Sequence, residues 1–368
     1  MEISIQFDKR PILFRDPIKV ISCNSHRSFI SAFREIEDSL DSGHYAAGFF
    51  SYEAGYGFEE RLLEAKDRAF PLIHIGIYDK PYRDDIKRFH RKDIPEPTDL
   101  RLNITKELYS SHIEAIRKHI EKGDVYQITY CIKLLFKYAG DPMGLYRSLL
   151  KEQPVPYPAY IDAGRFKILS LSPEKFLRKT GTRVVTKPMK GTWQRGSNFV
   201  RDIFERTCFQ YDMKNRAENV MIADLLRNDL GRVGTGIKAP MLFEIAGYRT
   251  LYQMTSTITG EVPKNISVYK LFKALFPSGS VTGAPKLRSM QIIKSLEREE
   301  RKIYTGAIGY ITPDRDMFFS IPIRTILLEE GTGEMGIGGG IVWDSTPNGE
   351  WNEGLLKAKF VTKACKVE

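Results

Sequence analysis

The stretch AYIDAGRFKILSLSPEKFLRKTGTRVVTKPMKG, residues 159–191, decides the predicted fold class. Three short apolar runs, AYIDAG, FKILSLS and RVVTKPMKG, follow one another here without a helical segment between them. Strands joined in this way pair antiparallel, because parallel neighbours need a crossover connection that is usually a helix. Just upstream, VYQITYCIKLLF (125–136) alternates like a further strand. The sequence therefore predicts extensive antiparallel sheet.

Helical patterns lie on both sides of these strands. Apolar residues recur at helical spacing in six segments, residues 28–40, 105–122, 215–227, 268–276, 284–297 and 351–364. Additional strands are predicted over residues 46–58, 70–79 and, as one long strand, 243–262. Sheet and helix together indicate an α+β fold with helices outside the sheets.

The sequence indicates the domain organisation less clearly than it indicates the fold class. Residues 81–99 are charged and contain prolines, which is typical of a surface connection. We therefore expect residues 1–104 to form an N-terminal region that packs onto a body of residues 105–368. No clean linker and no internal repeat interrupts that body.

Composition excludes several classes of protein. The four cysteines are scattered without a CxxC pair, which excludes zinc ribbons and dithiol redox motifs and fits a reducing compartment. No run of 18 apolar residues and no signal-like N-terminus occurs, so we expect a cytosolic protein without a membrane partner. The net charge of +10 has two readings, an anionic partner or a solvated lysine-rich surface. Without a recognisable nucleic-acid motif, no nucleic-acid partner is expected.

Histidine is confined to the start of the chain. All six histidines lie at or before His119, so chemistry in the rest of the chain must use lysine and carboxylate groups. Lys190 ends a predicted strand next to Gly191, where a buried lysine becomes a nucleophile but an exposed one is an ordinary solvated charge. Glu218 and Glu353 lie on separate predicted helices, and carboxylates so placed either hold Mg²⁺ or form helix-surface salt bridges.

Two glycine-rich segments are also candidates. PSGSVTGAPK (277–286) precedes a helix and lacks the spacing of a nucleotide-binding loop, so it is either an anion-binding turn or a turn without a ligand. GIGGGIVWDS (336–345) places three glycines inside a strand pattern. Such glycines indicate either a bulge or the close approach of a ligand to the backbone.

Read together, these segments resemble the chorismate-utilising enzymes, which include aminodeoxychorismate, anthranilate, isochorismate and salicylate synthases. The resemblance covers residues 105–365 and rests on blocks that occur in the family's order. They are GDVYQITY (123–130), LSPEKF (171–176), KPMKGTWQRG (187–196), KNRAENVMIADLLRNDLGRV (214–233), FPSGSVTGAPKLRSMQII (276–293), YTGAIGY (304–310), IRTILL (323–328), GGGIVWDS (338–345) and NEGLLKAK (352–359).

The resemblance implies a fold, a cofactor and a set of roles. The family fold has large antiparallel sheets around a central cavity, with helices outside. Glu174 matches the acid/base at the C4 hydroxyl of chorismate, and Lys190 matches a covalent nucleophile. The positions that match Mg²⁺ ligands are Glu218 and Glu353, with Glu350 as a helper. The positions that match substrate-binding residues are Thr282, Gly283, Tyr304, Arg324, Gly338 and Lys357.

Two positions point to one branch of the family. Isochorismate and salicylate synthases carry a water-activating lysine where this chain has Gln127, and anthranilate synthases carry a small residue where it has Lys190. Lysine in PMKGT is typical of aminodeoxychorismate synthase component I, so C4 amination of chorismate in p-aminobenzoate and folate biosynthesis is expected. The alternatives are anthranilate synthase component I and a non-catalytic chorismate-family binding protein. Gln253 departs from the family's usual histidine, and Trp343 from a small residue.

The source of ammonia is expected to be a second protein. No Gly-x-Cys-x-Gly motif typical of a glutaminase occurs in the sequence. The resemblance therefore implies a heterodimer with a glutamine amidotransferase subunit. Since the chain ends at residue 368, without room for a fused lyase, the expected product is aminodeoxychorismate and not free p-aminobenzoate.

Overall fold

The computed structural model describes residues 1–8, 10–83, 94–248 and 251–362. They form two ten-stranded sheets with eight α-helices. All strand pairs in these described ranges are antiparallel. The predicted α+β class with large antiparallel sheets is confirmed.

The first sheet has the order β16-β8-β20-β19-β10-β9-β1-β2-β6, with β7 also paired to β8. Its longest contact joins β8 to β20, and this contact places the triple-glycine segment beside the strand that begins at Gln127. The strands are β1 (Glu2–Phe7), β2 (Arg10–Phe14), β6 (Tyr82–Arg83), β7 (Thr98–Leu102), β8 (Gln127–Lys137), β9 (Tyr157–Asp162), β10 (Phe166–Ser172), β16 (Gly283–Ala284), β19 (Thr325–Glu329) and β20 (Thr332–Ile341).

The second sheet has the order β13-β15-β12-β11-β18-β17-β4-β5-β3, with β14 also paired to β15. The strand that carries Lys190, β13, therefore stands at one end of this order. The strands are β3 (Lys19–Cys23), β4 (Tyr45–Phe50), β5 (Ile73–Tyr78), β11 (Lys175–Thr180), β12 (Arg183–Lys187), β13 (Met189–Gln194), β14 (Thr235–Gly247), β15 (Leu251–Glu261), β17 (Ala307–Ile311) and β18 (Met317–Ser320).

The helices cover the outer faces of the sheets. They are α1 (Phe29–Asp41), α2 (Lys106–Glu121), α3 (Pro142–Glu152), α4 (Phe199–Tyr211), α5 (Met213–Gly231), α6 (Val268–Leu275), α7 (Lys286–Leu296) and α8 (Pro347–Thr362). Side-chain oxygens close the N-termini of several of them, as Asp212 does for α5 by accepting from the Asn215 N–H at 2.8 Å. Within the described ranges, no helix is long and apolar enough to cross a membrane.

The two sheets pack face to face over a shared hydrophobic core. One cluster of buried residues combines Ile3, Ile161 and Ile168 of the first sheet with Phe49 and Ile308 of the second. Two further clusters lie between the sheets and their helices. Burial of apolar surface on both faces of the strands is the main stabilising contribution to such a layered fold.

The N-terminal strands belong to these same two sheets. In the first sheet β1 pairs with β9, and in the second β4 pairs with β17. The division of the chain near residue 104 stays a prediction. Part of the predicted surface connection, residues 84–93, lies outside the described residues, as do the last two positions of the predicted final helix.

Two strand predictions were wrong, and two helices were missed. Residues 243–262 contain not one strand but the end of β14 and the whole of β15, because β15 pairs antiparallel with β14; residues 249–250 lie outside the described ranges. Residues 52–58 form a 3-10 helix and not a strand, since Gly55 and Gly57 lie against Pro277 and Phe29 with no room for a Cβ. Helices α3 and α4 have no counterpart among the six predicted helices.

Candidate active site

Lys190 lies on β13, where the strand passes beneath the first turn of α5. The next residue, Gly191, has a φ of +89°, and a Cβ there would lie 2.6 Å from Asn215 Oδ1. Only glycine allows this close approach without strain. The Lys190 Nζ reaches across to β20, where it lies 2.4 Å from the position that a Cβ of Gly340 would occupy. The amine thus projects from the second sheet toward the first.

The Gln127 amide approaches the same glycine from β8. Its Nε2 lies 2.6 Å from the Cβ position of Gly340, so amide and Lys190 amine converge on one point. Gln127 is fully buried, and neither of its side-chain polar atoms has a hydrogen-bond partner among the described residues. Buried amides are normally hydrogen-bonded, so this group is available to a ligand or water at the Lys190 amine.

Glu174 forms the acidic side of the site. It lies between β10 and β11, and its Oε1 accepts hydrogen bonds from Ser280 Oγ at 2.6 Å and from the Met189 N–H at 3.3 Å. Burial raises the pKa of the Glu174 carboxyl to about 7, although both hydrogen bonds and the charge of Lys190 oppose the shift. A carboxyl with this pKa exchanges its proton near neutral pH and can act as a general acid or base.

Burial also controls the protonation of Lys190. Loss of solvent lowers the pKa of the ammonium group below its usual range, and the charge of Lys357 acts in the same direction. The carboxylates of Glu218, Glu174 and Glu353 oppose the shift, which places all three within electrostatic reach of the amine. A lysine of lowered pKa holds more of its amine in the neutral, nucleophilic form.

The remaining carboxylates come from α5 and α8. Burial raises the pKa of Glu218 and of Glu350, and the charge of Glu353 raises both further. Glu350 accepts a hydrogen bond from Ser345 Oγ at 2.6 Å. The Lys357 ammonium lies 2.7 Å from Glu353 Oε1, and this charge holds the Glu353 pKa below its usual range. The side chain of Glu353 is 46% exposed, so the site reaches solvent on this side.

These carboxylates fit a hard cation that keeps part of its water shell. Glu350 Oε2 and Glu353 Oε1 lie 3.2 and 3.5 Å from the Cβ position of Gly339, so both face β20 at one place. In the described ranges, no group of three or more His, Cys, Asp or Glu side chains is placed so that it could hold a metal ion by itself. Mg²⁺ needs only one or two protein carboxylates beside water and ligand oxygens, so the donor set suits it.

The glycine-rich loop closes the site beside β8. The Thr129 N–H donates to Thr282 O at 2.7 Å, and Thr282 Oγ1 donates to Ser278 O at 3.0 Å. A Cβ at Gly283 would lie 2.2 Å from Gln127 O, so the backbone segments can approach only because this residue is glycine. The loop therefore presents Ser280 to Glu174 from a fixed backbone.

Arg324 and two tyrosines lie on the side of Glu174. Burial lowers the pKa of Arg324, whose guanidinium lies 5.7 Å from the centre of the Tyr248 ring. Arg324 also interacts with Tyr304, and Tyr248 with Glu174. Burial raises the pKa of the Tyr304 hydroxyl, and the neighbouring Cys131 of β8 acts in the same direction.

Two of the substrate-binding candidates, Gly338 of β20 and Lys357 of α8, meet at one carbonyl. Lys357 Nζ donates to Gly338 O at 2.6 Å while it pairs with Glu353. The cluster therefore unites Glu174, Lys190, Glu218 and the Glu353–Lys357 pair, which come from four separate segments of the sequence. Thr282 and Gly283 border it through their contacts with β8, whereas Arg324 interacts with Tyr248 and Tyr304 on the side of Glu174.

Comparison with known proteins identifies the family to which this geometry belongs. Residues 86–363 match the family model described as chorismate binding enzyme. The chain belongs to the chorismate-binding enzyme family. It is 31% identical to aminodeoxychorismate synthase component 1 of Escherichia coli K12, covering 97% of this chain and 84% of that protein. It is also 36% identical to anthranilate synthase component 1 of Aquifex aeolicus, over 74% of this chain and 56% of that protein.

Solved structures of relatives support the fold of this chorismate-binding enzyme. Anthranilate synthase component I of Streptococcus pneumoniae TIGR4 superposes with a TM-score of 0.81 at 24% identity, covering 98% of this chain and 92% of that one. A protein described as a putative 2,3-dihydroxybenzoate-specific isochorismate synthase, from Bacillus anthracis, gives 0.80 at 18% identity, with coverages of 98% and 95%. These likenesses establish the shared architecture.

Sequence reasoning missed several residues of this chorismate-utilising site. The sequence indicated Gly340 only as part of a glycine run, although the Lys190 amine lies against this residue. Ser280, Tyr248 and Lys214 were not singled out, although Ser280 donates a hydrogen bond to Glu174, Tyr248 lies within electrostatic reach of Glu174 and the charge of Lys214 acts on Glu218. Ser280 and Lys214 lie within the family blocks, whereas Tyr248 lies outside them. Gln253 is buried on β15, and its Oε1 has no hydrogen-bond partner among the described residues.

Gly340→Ala should remove most of the enzyme's activity while leaving the fold intact. The new methyl group would displace the ends of two flexible side chains, Lys190 and Gln127, and not backbone. We expect a loss of roughly 10²-fold, as for other small misplacements of reacting groups, with little change in the thermal midpoint.

Gly338→Ala provides the contrast for that experiment. Its methyl group would lie 2.1 Å from the backbone carbonyl of Tyr130, so it should lower the thermal midpoint clearly. Equal activity in Gly340→Ala and the unchanged enzyme would show that Lys190 does not act from its observed position.

Proposed function

We propose that this chorismate-utilising enzyme aminates chorismate at C4 and releases 4-amino-4-deoxychorismate, with ammonia from a separate glutamine amidotransferase subunit. The observation that carries the proposal is the placement of Lys190 and Glu174 within electrostatic reach of each other. A buried amine of lowered pKa and a carboxyl of pKa about 7 interact within one site. A nucleophile beside a general acid is the equipment that displacement of a hydroxyl group requires.

The two groups divide the reaction into two displacements. The Lys190 amine adds to C2 of the ring, the ring double bonds shift, and the C4–O bond breaks as Glu174 donates a proton, so that water leaves. Ammonia then adds at C4, the double bonds shift back, and the C2–N bond breaks to regenerate Lys190. The proton lost by ammonia returns to the Glu174 carboxylate. Covalent capture replaces one difficult displacement by two easier ones.

The α5 and α8 carboxylates are the proposed Mg²⁺ site. Glu218 and Glu353 would hold the ion, with Glu350 beside them. When bound, Mg²⁺ would neutralise the ring carboxylate and favour the charge shift toward it. Carboxylates whose pKa is raised by burial and by a neighbouring charge gain stability when a cation joins them.

The second group of residues is proposed to orient the substrate. Arg324 and Lys357 are partly buried cations that can bind carboxylates, and the backbone at Gly338, Thr282 and Gly283 lies beside the cluster. Tyr304 would act through its contact with Arg324. Charge-assisted contacts of this kind fix the ring so that C2 faces Lys190.

A second subunit is part of the proposal. The relatives above are named as component 1, which implies a further component, and chorismate amination needs ammonia as nucleophile. We expect turnover with ammonium salts for the single chain, and turnover with glutamine only after the amidotransferase subunit is added. Glutamine use by the purified single chain would contradict this arrangement.

A product assay separates this function from anthranilate synthesis. The chain is incubated with chorismate, Mg²⁺ and ammonium, and aminodeoxychorismate lyase is then added. Formation of p-aminobenzoate that depends on the lyase supports C4 amination. Fluorescent anthranilate formed without the lyase would identify the anthranilate synthase branch, to which one relative belongs. Absence of both products, with chorismate bound, would identify a non-catalytic binding protein.

Ser280→Ala should shift the pH dependence of amination. The Ser280 hydrogen bond stabilises the ionised form of Glu174 and so lowers its pKa, which burial otherwise raises. Removing it raises the pKa. Because protonated Glu174 is the active form, activity falls as pH rises through this pKa. The alkaline limb of kcat/KM should therefore move to higher pH in Ser280→Ala.

Ser295→Ala serves as the matched control for that shift. Ser295 lies on α7, where its hydroxyl donates to Ile292 O within the same helix. The alkaline limb of kcat/KM in Ser295→Ala should match that of the unchanged enzyme. An alkaline limb at the same pH in Ser280→Ala would exclude Glu174 as the group that titrates there.

A further inference from the structure

Large apolar side chains are exposed on α4, the helix between Lys190 and Glu218 in the chain. Phe199 is 80% exposed, Val200 77%, Ile203 52%, Phe204 56% and Tyr211 68%. At about 100° per residue these five side chains fall within an arc of about 140° on one face of the helix. Single exposed apolar residues are ordinary, but a contiguous group marks an interaction surface.

The opposite face of α4 is already fixed to the sheet. Phe209 is fully buried and stacks on Trp193 of β13 at 5.5 Å between ring centres. Glu205 accepts a hydrogen bond from Trp193 Nε1 at 2.8 Å, and Asp202 accepts one from the Tyr252 hydroxyl at 2.7 Å. A surface helix normally turns its apolar stripe inward. On α4 the larger apolar face instead points outward, so it offers exposed apolar surface to which another protein can bind.

This apolar patch continues onto α5. Only Asp212 separates the two helices, and Met213 at the start of α5 is 79% exposed. We define the α4 patch as the exposed apolar residues Phe199, Val200, Ile203, Phe204, Tyr211 and Met213. Basic side chains that are also exposed, Arg206 and Lys214, lie at its margin.

The α4 patch adjoins the open side of the active site. Helix α4 packs against β13, the strand of Lys190. The first turn of α5, which follows directly, lies against Gly191 through Asn215. Lys214 of the same turn interacts with Glu218 and Glu353, and Glu353 reaches solvent. A protein seated on the patch would therefore also border the route to Lys190.

We propose that the α4 patch is the docking surface for the glutamine amidotransferase subunit, an inference that rests on the function proposed above. Ammonia released into neutral water is mostly protonated and so loses most of its nucleophilic form, and direct passage between subunits avoids this loss. An interface beside the entrance to the Lys190 site would allow such passage, and the patch adjoins that entrance. The basic margin suits a partner surface with an apolar centre and an acidic rim.

The test uses the source organism's own amidotransferase subunit and two variants, Ile203→Glu and Phe204→Glu. Both side chains are more than half exposed, so neither change removes core packing. The Kd for the subunit should rise by at least about 30-fold, the effect of losing an interface hot spot. Glutamine-dependent turnover should fall with it, while ammonium-dependent turnover stays unchanged. Leu63→Glu, at another exposed apolar site, should change neither rate nor Kd.

Each other outcome has a defined meaning. An unchanged Kd in both variants would overturn the docking site. The chain alone could instead be a dimer. If the variants are then monomers that still bind the amidotransferase subunit, the patch is a surface for self-association. Should the unchanged chain form no aminodeoxychorismate from ammonium, the proposed function fails, whereas the Kd measurement still decides the docking site. Phe204→Ala repeats the Kd test if either glutamate variant loses ammonium-dependent turnover.

Discussion

Lys190→Ala is expected to abolish C4 amination almost completely. The amine is the group proposed to bond to C2, and its position against Gly340 leaves no other described lysine at that point. Losing an activated group of this kind costs roughly 10²–10⁴-fold in rate, and a covalent nucleophile at least as much. We therefore expect a loss of this size in kcat with ammonium as co-substrate. Chorismate binding should persist, since Arg324 and Lys357 are unchanged.

A lysine three residues earlier provides the control. Lys187 ends β12 and forms an ion pair with Glu244 at 3.1 Å. Lys187→Ala should keep normal turnover. If Lys190→Ala also formed aminodeoxychorismate at the normal rate, Lys190 would be an ordinary strand-end charge and the assignment to the C4-aminating branch would lose its main support.

Glu353→Gln and Glu218→Gln should each remove the Mg²⁺ response together with activity. An amide has the same shape as the carboxylate but no negative charge to hold the ion. Loss of charge stabilisation in the transition state costs about 10²–10³-fold or more in kcat. The activity that remains should not increase with added Mg²⁺.

A second readout is independent of turnover. Mg²⁺ with chorismate should raise the thermal midpoint of the unchanged chain, since ligands that bind only the folded state stabilise it. That rise should be absent in both variants and normal in Asp224→Asn, a change at an exposed α5 residue paired with Arg227. An unchanged Mg²⁺ titration in Glu353→Gln would show that the ion is held elsewhere.

The periodicity of apolar residues predicted the regular strands, but it failed where a segment departs from a regular pattern. Strands β8, β10 and β12 were predicted correctly because their apolar residues alternate along the chain or form short buried runs. It failed at residues 52–58, where tertiary contacts of Gly55 and Gly57 override strand propensity. It also missed α4, whose largest apolar face points away from the sheet and so lacks the ordinary orientation of a surface helix.

The candidate site could not be derived from spacing alone. Glu174, Lys190, Glu218 and Glu353 come from different elements, and only the pairing of two sheets with two helices brings them together. Resemblance to the family supplied these positions, and their roles stay predictions. The unpaired Gln127 amide and the Ser280 contact with Glu174 depend on side-chain packing that no single-sequence pattern encodes.

The most direct test of the account is a search for the covalent adduct on Lys190. The chain is mixed with chorismate and Mg²⁺ in the absence of ammonia, trapped by acid, and its intact mass and digested peptides are measured. The account predicts a mass increase equal to chorismate less one water, located on Lys190, which disappears when ammonium is added before trapping. An unmodified Lys190 peptide, from a chain that converts chorismate to aminodeoxychorismate once ammonium is present, would contradict it.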